Sequence, residues 1–427
     1  MVESQDALYG AETPQALLDE VYENYKKYLN PPLARVMRVS GSPVETRALG
    51  TTIWDQNGKP YLDFAGGYGV FTLGHSHPRV LAAIRAQLEL MALSGKTMFN
   101  VPMGRAAKRL AELAPGDLTI SFWCNSGTEA VEGAIKLARV ATGRAKIVAT
   151  TDSYHGKTLG ALSISGRATF QDPFRPLLAD ASLIPFGDAS ALDAALAGAA
   201  AFVVEPVQGE GGVNVPPAGY LRAVREACDR AGALFIADEI QTGLGRCGYR
   251  FAVDRDGVVP DVMTLAKGLS GGVIPVGAFV ARTEIWTRAY GKQPLLHTST
   301  FGGSEIACAA ALAAMDVLEE DGLAENARAR GEQLVGGCAE IAAAFPDVVK
   351  EARGLGLLCG VELANEGYGG WIIPEMVKRG VTAAWTLNQQ KVIRLEPPLV
   401  VTASEVDTAL AALRAGVETA RENLGTL

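Results

Sequence analysis

The sequence predicts an α/β protein: a large domain around a central, mostly parallel sheet, beside a smaller α+β domain assembled from both ends of the chain. Three observations carry this expectation. Between about Ser121 and Arg282, short apolar runs alternate with helix-like segments. The runs lack polar alternation, as strands buried on both faces do. Two of them end abruptly in charge, Ala233-Leu-Phe-Ile-Ala237 in Asp238 and Val262-Met-Thr-Leu-Ala266 in Lys267. In such sheets ligands bind beyond the carboxyl ends of the strands.

The elements follow in order. Residues 14–30 carry Leu17, Leu18, Val21, Tyr22 and Tyr25 near helical period, and Pro31-Pro32 is expected to end that helix. Residues 44–64 read as a hairpin turning at Asn57-Gly58. Strands are expected at Lys146–Thr150, Ala201–Glu205, Leu234–Asp238, Val262–Ala266 and Val276–Ala281, with helices such as Thr128–Val140 and Gly219–Ala231 between them. A long alanine-rich helical stretch follows from Ala307 towards Ala344. Gly354–Gly360 then reads as a strand entry, Lys391–Leu395 as a strand and Ser404–Leu424 as a terminal helix. The expected division is 1–65 and 316–427 in the smaller domain and 66–315 in the larger.

Composition narrows the function. The chain has 427 residues, 48% hydrophobic and 20% charged, with a net charge of −8 and no long basic run. That argues against nucleic acid or an anionic membrane as the main partner. The six cysteines are scattered without a C-x-x-C pair, and the four histidines have no cysteine or carboxylate at ligand spacing. No metal is expected. Met1–Asp6 has no apolar signal-peptide core, and no apolar run reaches the ~20 residues of a membrane span. A cytoplasmic location is the expectation.

The residues with chemistry stand at strand and helix ends. A lysine amine can hold an aldehyde as a Schiff base, and a carboxylate can pair with a protonated pyridine nitrogen. Lys267 and Asp238 supply both. Cys124-Asn-Ser-Gly-Thr-Glu129 opens a helix, where Ser126, Gly127 and Thr128 either cradle a phosphate or cap the helix with Glu129. Tyr154, before His155-Gly-Lys157, either stacks on a flat ring or packs in the core. Glu205-Pro-Val-Gln-Gly-Glu210 suggests a site loop, and Arg394 either grips a carboxylate or lies on the surface.

Taken together, Ser126-Gly-Thr128, Tyr154-His-Gly156, Glu205–Glu210, Asp238-Glu-Ile-Gln241, Ala266-Lys-Gly268, Thr300-Phe-Gly-Gly303 and Arg394-Leu-Glu-Pro-Pro398 resemble, in order, the motifs of class III (ornithine-type) aminotransferases. The likeness spans about Ala48 to Leu399. It implies fold-type I architecture and pyridoxal 5'-phosphate (PLP). By that resemblance Lys267 is the Schiff-base lysine, Asp238 the pyridinium partner and Gln241 the contact to the ring hydroxyl. Tyr154 stacks on the ring with His155 beside it. Ser126, Gly127 and Thr128 hold the phosphate, with Thr300 contributed by a second subunit. Glu205 is expected to orient Gln241. Glu210 and Arg394 form a gate that opens for the α-carboxylate of 2-oxoglutarate, and Tyr68 and Lys157 join them as substrate-binding residues.

The substrate expectation rests on Lys157, where amino-acid-specific members of the class usually carry arginine. Together with Thr386-Leu-Asn388 and Ile393–Pro398, the segments most resemble putrescine aminotransferases. They imply transfer of a terminal amine from putrescine or cadaverine to 2-oxoglutarate by a homodimer or a pair of dimers. Ser304-Glu305 departs from the Asn-Pro common in the class. The alternatives are an ornithine or acetylornithine aminotransferase and an aminomutase of the glutamate-1-semialdehyde type. A nucleotide-binding dehydrogenase is disfavoured because no G-x-G-x-x-G follows the first strand. A non-catalytic scaffold would have little reason to keep both Lys267 and Asp238.

Overall fold

A computed structural model describes Gly10 and residues 13–423. The leader expectation for Met1–Asp6 and the last residue of the expected terminal helix, Leu424, lie outside them. Three sheets organise the described residues. The first contains β1 (Glu45–Leu49), β2 (Thr52–Asp55) and β3 (Pro60–Asp63). The hairpin turns at Asn57-Gly58, with Gly58 at φ 75° and the Asp55 carboxylate accepting the amides of Asn57 and Lys59.

The central sheet has seven strands: β4 (Leu118–Cys124), β5 (Ile147–Thr150), β6 (Ala181–Ile184), β7 (Ala201–Val204), β8 (Leu234–Asp238), β9 (Val262–Leu265) and β10 (Gly277–Arg282). Their spatial order is β4-β10-β9-β8-β7-β5-β6. From β9 to β6 every pairing is parallel, whereas β10 runs antiparallel to both β4 and β9. The sheet is therefore mixed at one end. β4 and β6 are the two edges of the sheet and only partly buried, so neither carries the apolar run of a strand covered on both faces.

Successive residues of β7 and β8 serve opposite faces. Ala201, Val203, Leu234 and Ile236 pack with Val131, Ala134, Ile135 and Ala138 of the helix Gly127–Thr142. Phe202, Val204, Phe235 and Ala237 pack on the other side with Leu221, Val224 and Ala227 of the helix Tyr220–Ala231. Burial on both faces is the physical reason for the unbroken apolar runs.

The third sheet contains β11 (Val349–Leu355), β12 (Leu358–Leu363), β14 (Ala384–Trp385) and β15 (Val392–Leu395), while β13 (Val381–Thr382) joins the first sheet, parallel to β3. The helix from Pro14 ends at Leu29, ahead of Pro31-Pro32 as expected, and the prolines open a new helix, Pro31–Val39, capped by the Asn30 side chain; proline suits the first turn, whose N–H groups have no intrahelical partner. Two local expectations are corrected. Gly354–Gly360 is a tight hairpin turning at Gly356 (φ 57°), not the entry to one strand. The alanine-rich stretch is two helices, Glu305–Glu320 and Leu323–Ala344, parted by Gly322 at φ 60°. Among the described residues no helix is long and apolar enough to cross a membrane.

Candidate active site

Parallel pairing of β8 with β9 sets Asp238 opposite Thr264, three residues before Lys267. That register places the carboxylate and the amine at one strand edge. Ser126, Gly127, Thr128, Tyr154, His155, Lys157, Glu205, Asp238, Gln241 and Lys267 all line one cavity of about 520 Å³. Val70, Ile240, Val273, Ile274 and Val276 give it apolar walls. Ten of the residues singled out in the sequence thus converge, from five strand or helix ends.

Lys267 opens a short 3₁₀ turn at φ 44°, a left-handed conformation costly for a side chain with a Cβ. Burial pulls its ammonium below the usual lysine range, against the opposing pull of Glu396 and Glu210. The buried Asp238 accepts from His155 Nδ1 at 2.6 Å, from Thr264 Oγ1 at 3.0 Å and from the Ile240 amide at 3.2 Å. Burial alone would discharge His155, but the bond to Asp238 outweighs it and raises the imidazole above its ordinary value.

At the start of the helix Gly127–Thr142, the Ser126 hydroxyl accepts the Glu129 amide, and the Ser126 carbonyl accepts the Ala130 amide. Glu129 turns to the Asn125 amide instead of closing a capping box. The two sequence readings are therefore compatible: Ser126 caps, and the Gly127 and Thr128 amides stay available at the helix N-terminus, where the dipole favours an anion. A Cβ on Gly127 would stand 2.9 Å from Ile240 Cδ1, so glycine permits the approach of these two walls.

Glu205 accepts the amides of Tyr154 (3.0 Å) and Gly209 (3.3 Å), and burial pushes its carboxyl up to about 7. It does not hold Gln241. The Gln241 amide donates to Glu396 at 3.0 and 3.2 Å, which corrects the expected partner. Glu205 is spent on backbone amides within its own loop, and the end of β15 brings a second carboxylate to Gln241.

Beside the cavity, Arg394 is 1% exposed. Its Nη1 donates to Glu210 Oε1 at 2.6 Å, its Nε lies 3.1 Å from Glu396 Oε2, and its Nη2 is buried without a partner. The other Glu210 oxygen accepts the Leu387 amide at 2.7 Å. The guanidinium lies 5.4 Å from the centroid of the Tyr68 ring. Lys157 is exposed at the mouth, its Nζ 3.1 Å from the centroid of Phe170. Thr300 is exposed and does not line the cavity of its own chain.

The sequence reading gave no role to Thr264, Arg246 or Glu396. Arg246 had one legible signal, a charge inside the glycine-rich run Thr242–Gly248. Glu396 stood within a quoted motif, but its partners come from elements distant in sequence.

A buried amine of lowered basicity, a hydrogen-bonded carboxylate one strand away and unspent helix amides fit an aldehyde-bearing pyridine phosphate. They define a PLP-dependent transferase site on an α/β scaffold. The comparisons agree and are more specific. The model of the family described as aminotransferase class-III matches residues 37–417. The ornithine aminotransferase of Toxoplasma gondii is 34% identical with a TM-score of 0.85, over 95% of this chain and 98% of that one. An amine transaminase from an uncultivated Pseudomonas species, in its PLP-bound form, is 32% identical with a TM-score of 0.82, over 88% and 95%. A transaminase from the marine bacterium Virgibacillus is 28% identical with a TM-score of 0.88, over 95% and 100%. The chain belongs to the class III aminotransferases: it is a PLP-dependent aminotransferase of fold type I.

Proposed function

We propose that the enzyme moves a terminal amino group from a diamine, putrescine or cadaverine, to 2-oxoglutarate, giving an aminoaldehyde and glutamate. The observation that carries this reading is the closed, buried pair of Arg394 and Glu210. With its cation neutralised, the pocket has no arginine free for an α-carboxylate beside the reacting amine, which suits a donor that lacks one. When 2-oxoglutarate follows, Glu210 withdraws and the forked guanidinium takes the α-carboxylate; the unpartnered Nη2 is a spare donor for it.

When bound, PLP supplies the aldehyde that takes up the amine and the ring that stores the electron pair left by the departing proton. Lys267 would hold the cofactor through its amine and, in the neutral state that burial favours, would accept and return the proton. Asp238, held by His155 and Thr264, keeps the ring nitrogen protonated. The Gly127 and Thr128 amides hold the phosphate together with the Ser126 side of the helix start. Tyr154 would stack on the ring and Gln241 would bind its hydroxyl, while Glu205 fixes the Tyr154 loop. Tyr68 and Lys157 flank the substrate. A second copy of the chain completes the site by lending Thr300, in a homodimer or a pair of dimers. The smaller domain comprises residues 1–65 and 316–427 and the larger 66–315, and the enzyme works in the cytoplasm.

A second reading, an ornithine or acetylornithine aminotransferase, is favoured by one observation: Lys157 and Arg167 both flank Phe170, so the mouth is cationic and suits a donor carboxylate. Initial rates with putrescine, cadaverine, ornithine, N-acetylornithine and γ-aminobutyrate separate the two. A preference for putrescine or cadaverine is expected, with Lys157→Ala leaving the diamine KM unraised. A preference for ornithine whose KM rises in Lys157→Ala would overturn the diamine reading. Turnover without any oxoacid would instead point to an aminomutase.

A further inference from the structure

Glu396 is fully buried, yet it is not an isolated ion. Its oxygens receive Gln241 Nε2 at 3.0 and 3.2 Å and lie 3.1 Å from Arg394 Nε and 3.7 Å from Arg246 Nε. Its amide donates to the Phe64 carbonyl at 2.7 Å. Space for the carboxylate is reserved: a Cβ on Gly69 would stand 2.5 Å from Oε1. Arg246 is fully buried too, and its Nη1 is spent on the carbonyls of Leu357 and Pro397. Glu396 is therefore the carboxylate that faces Arg246.

The charges then balance in a specific way. Two buried arginines, 246 and 394, face two buried glutamates, 210 and 396. When Glu210 leaves, an incoming carboxylate replaces it on Arg394, and Glu396 still neutralises Arg246. Without Glu396 the open state would strand a buried cation, which is costly. The Arg394 contact is also one-sided: Nε lies 3.1 Å from Glu396 Oε2 as an ion pair without a hydrogen bond, while Nη1 donates to Glu210 and Nη2 is left for a substrate.

We propose that Glu396 is a positioning residue that couples the two ends of the site, aiming Arg394 for the acceptor carboxylate while holding Gln241 towards the cofactor ring. This rests on the gate reading above. Glu396 also holds the nearby Lys267 amine more basic than burial alone would, so removing its charge moves proton affinity at the cofactor in a known direction.

The test compares Glu396→Gln, Glu396→Asp and Arg394→Ala as purified PLP-loaded enzymes, with rates normalised to bound cofactor. For Glu396→Gln we expect the 2-oxoglutarate KM to rise roughly tenfold or more, the scale of losing one charged hydrogen bond. The pH titration of the cofactor's visible absorbance should move to lower pH at the same time. Glu396→Asp, which keeps the charge on a shorter arm and spares the fold, should restore the titration and part of the KM. If both variants merely lower the yield of loaded enzyme, with KM and titration unchanged per site, Glu396 is structural and the proposal falls. If Arg394→Ala leaves the 2-oxoglutarate KM unchanged, the gate reading itself fails, and the proposal with it. A raised KM in Arg394→Ala beside a normal one in both Glu396 variants overturns only the coupling.

Discussion

Glu205 is a buried acid whose carboxyl titrates at about 7, and the sign of its effect on stability follows. Between its ordinary 4.5 and about 7 the folded chain keeps a proton that the unfolded chain releases. Folding stability is thus fully supported below pH 4.5, falls as pH rises through that window and stays low above it. The cost can reach about 3 kcal/mol. Glu205→Gln should therefore raise Tm progressively from pH 5 to about 7 relative to the parent, with no further gain above; a pH-independent difference in thermal melts of the cofactor-free protein would refute this. Lys267→Ala should lose the borohydride-reducible absorbance of bound PLP and at least about 10³-fold in kcat, within the range for removing a positioned base. Both residues were visible in the sequence, since charge at the end of a buried strand is uncommon. The partners were not. The sequence gives no reason why Gln241 should meet Glu396 instead of Glu205, because that contact joins residues 155 positions apart.

At the level of elements, the parallel strands β5, β7, β8 and β9 were legible because burial on both faces leaves a continuous apolar run. The strands β4 and β6 were not, since they are the sheet's edges and only partly buried. β10 was found as a strand, but its antiparallel direction depends on how the chain returns, which no local pattern records. That direction matters to the site. Gly277, the first residue of β10, packs under the helix start, and a Cβ there would lie 2.4 Å from the Ser126 carbonyl. If the Gly127 and Thr128 amides hold the phosphate, Gly277→Ala should displace them, weakening PLP roughly tenfold or more and lowering Tm; equilibrium dialysis and thermal melts check both. Unchanged PLP affinity would mean that the helix start does not hold the phosphate.

On the scale of the whole molecule, several exposed apolar side chains stand on or near two segments that meet around Lys96 and Ser299. Leu90, Met98, Phe99, Leu295 and Phe301 are 82%, 84%, 107%, 82% and 60% exposed, and Thr300 stands beside the last of them. Lys96 Nζ ties the two segments together through the carbonyls of Ser299 and Gly302. Exposed Met98, Phe99 and Phe301 on these adjoining segments are the kind of side chains a second copy of the chain would cover. Phe99→Glu should weaken self-association by roughly 30-fold or more, the scale for losing an aromatic anchor. Sedimentation should then show monomers, with activity lost in parallel; an intact dimer would remove Phe99 from the interface.

By itself the sequence determined the class of fold, the lysine and acid at its working edge and the helix start that suits an anion. Those follow from local rules: two-faced burial, buried charge and free helix amides. Only the tertiary structure decided which carboxylate holds Gln241, that Arg394 is closed on Glu210, and that β10 runs backwards beneath the helix start at Gly127. Each of these depends on groups from distant segments meeting in a space that excludes water, where the geometry of the meeting sets the strength of every charge.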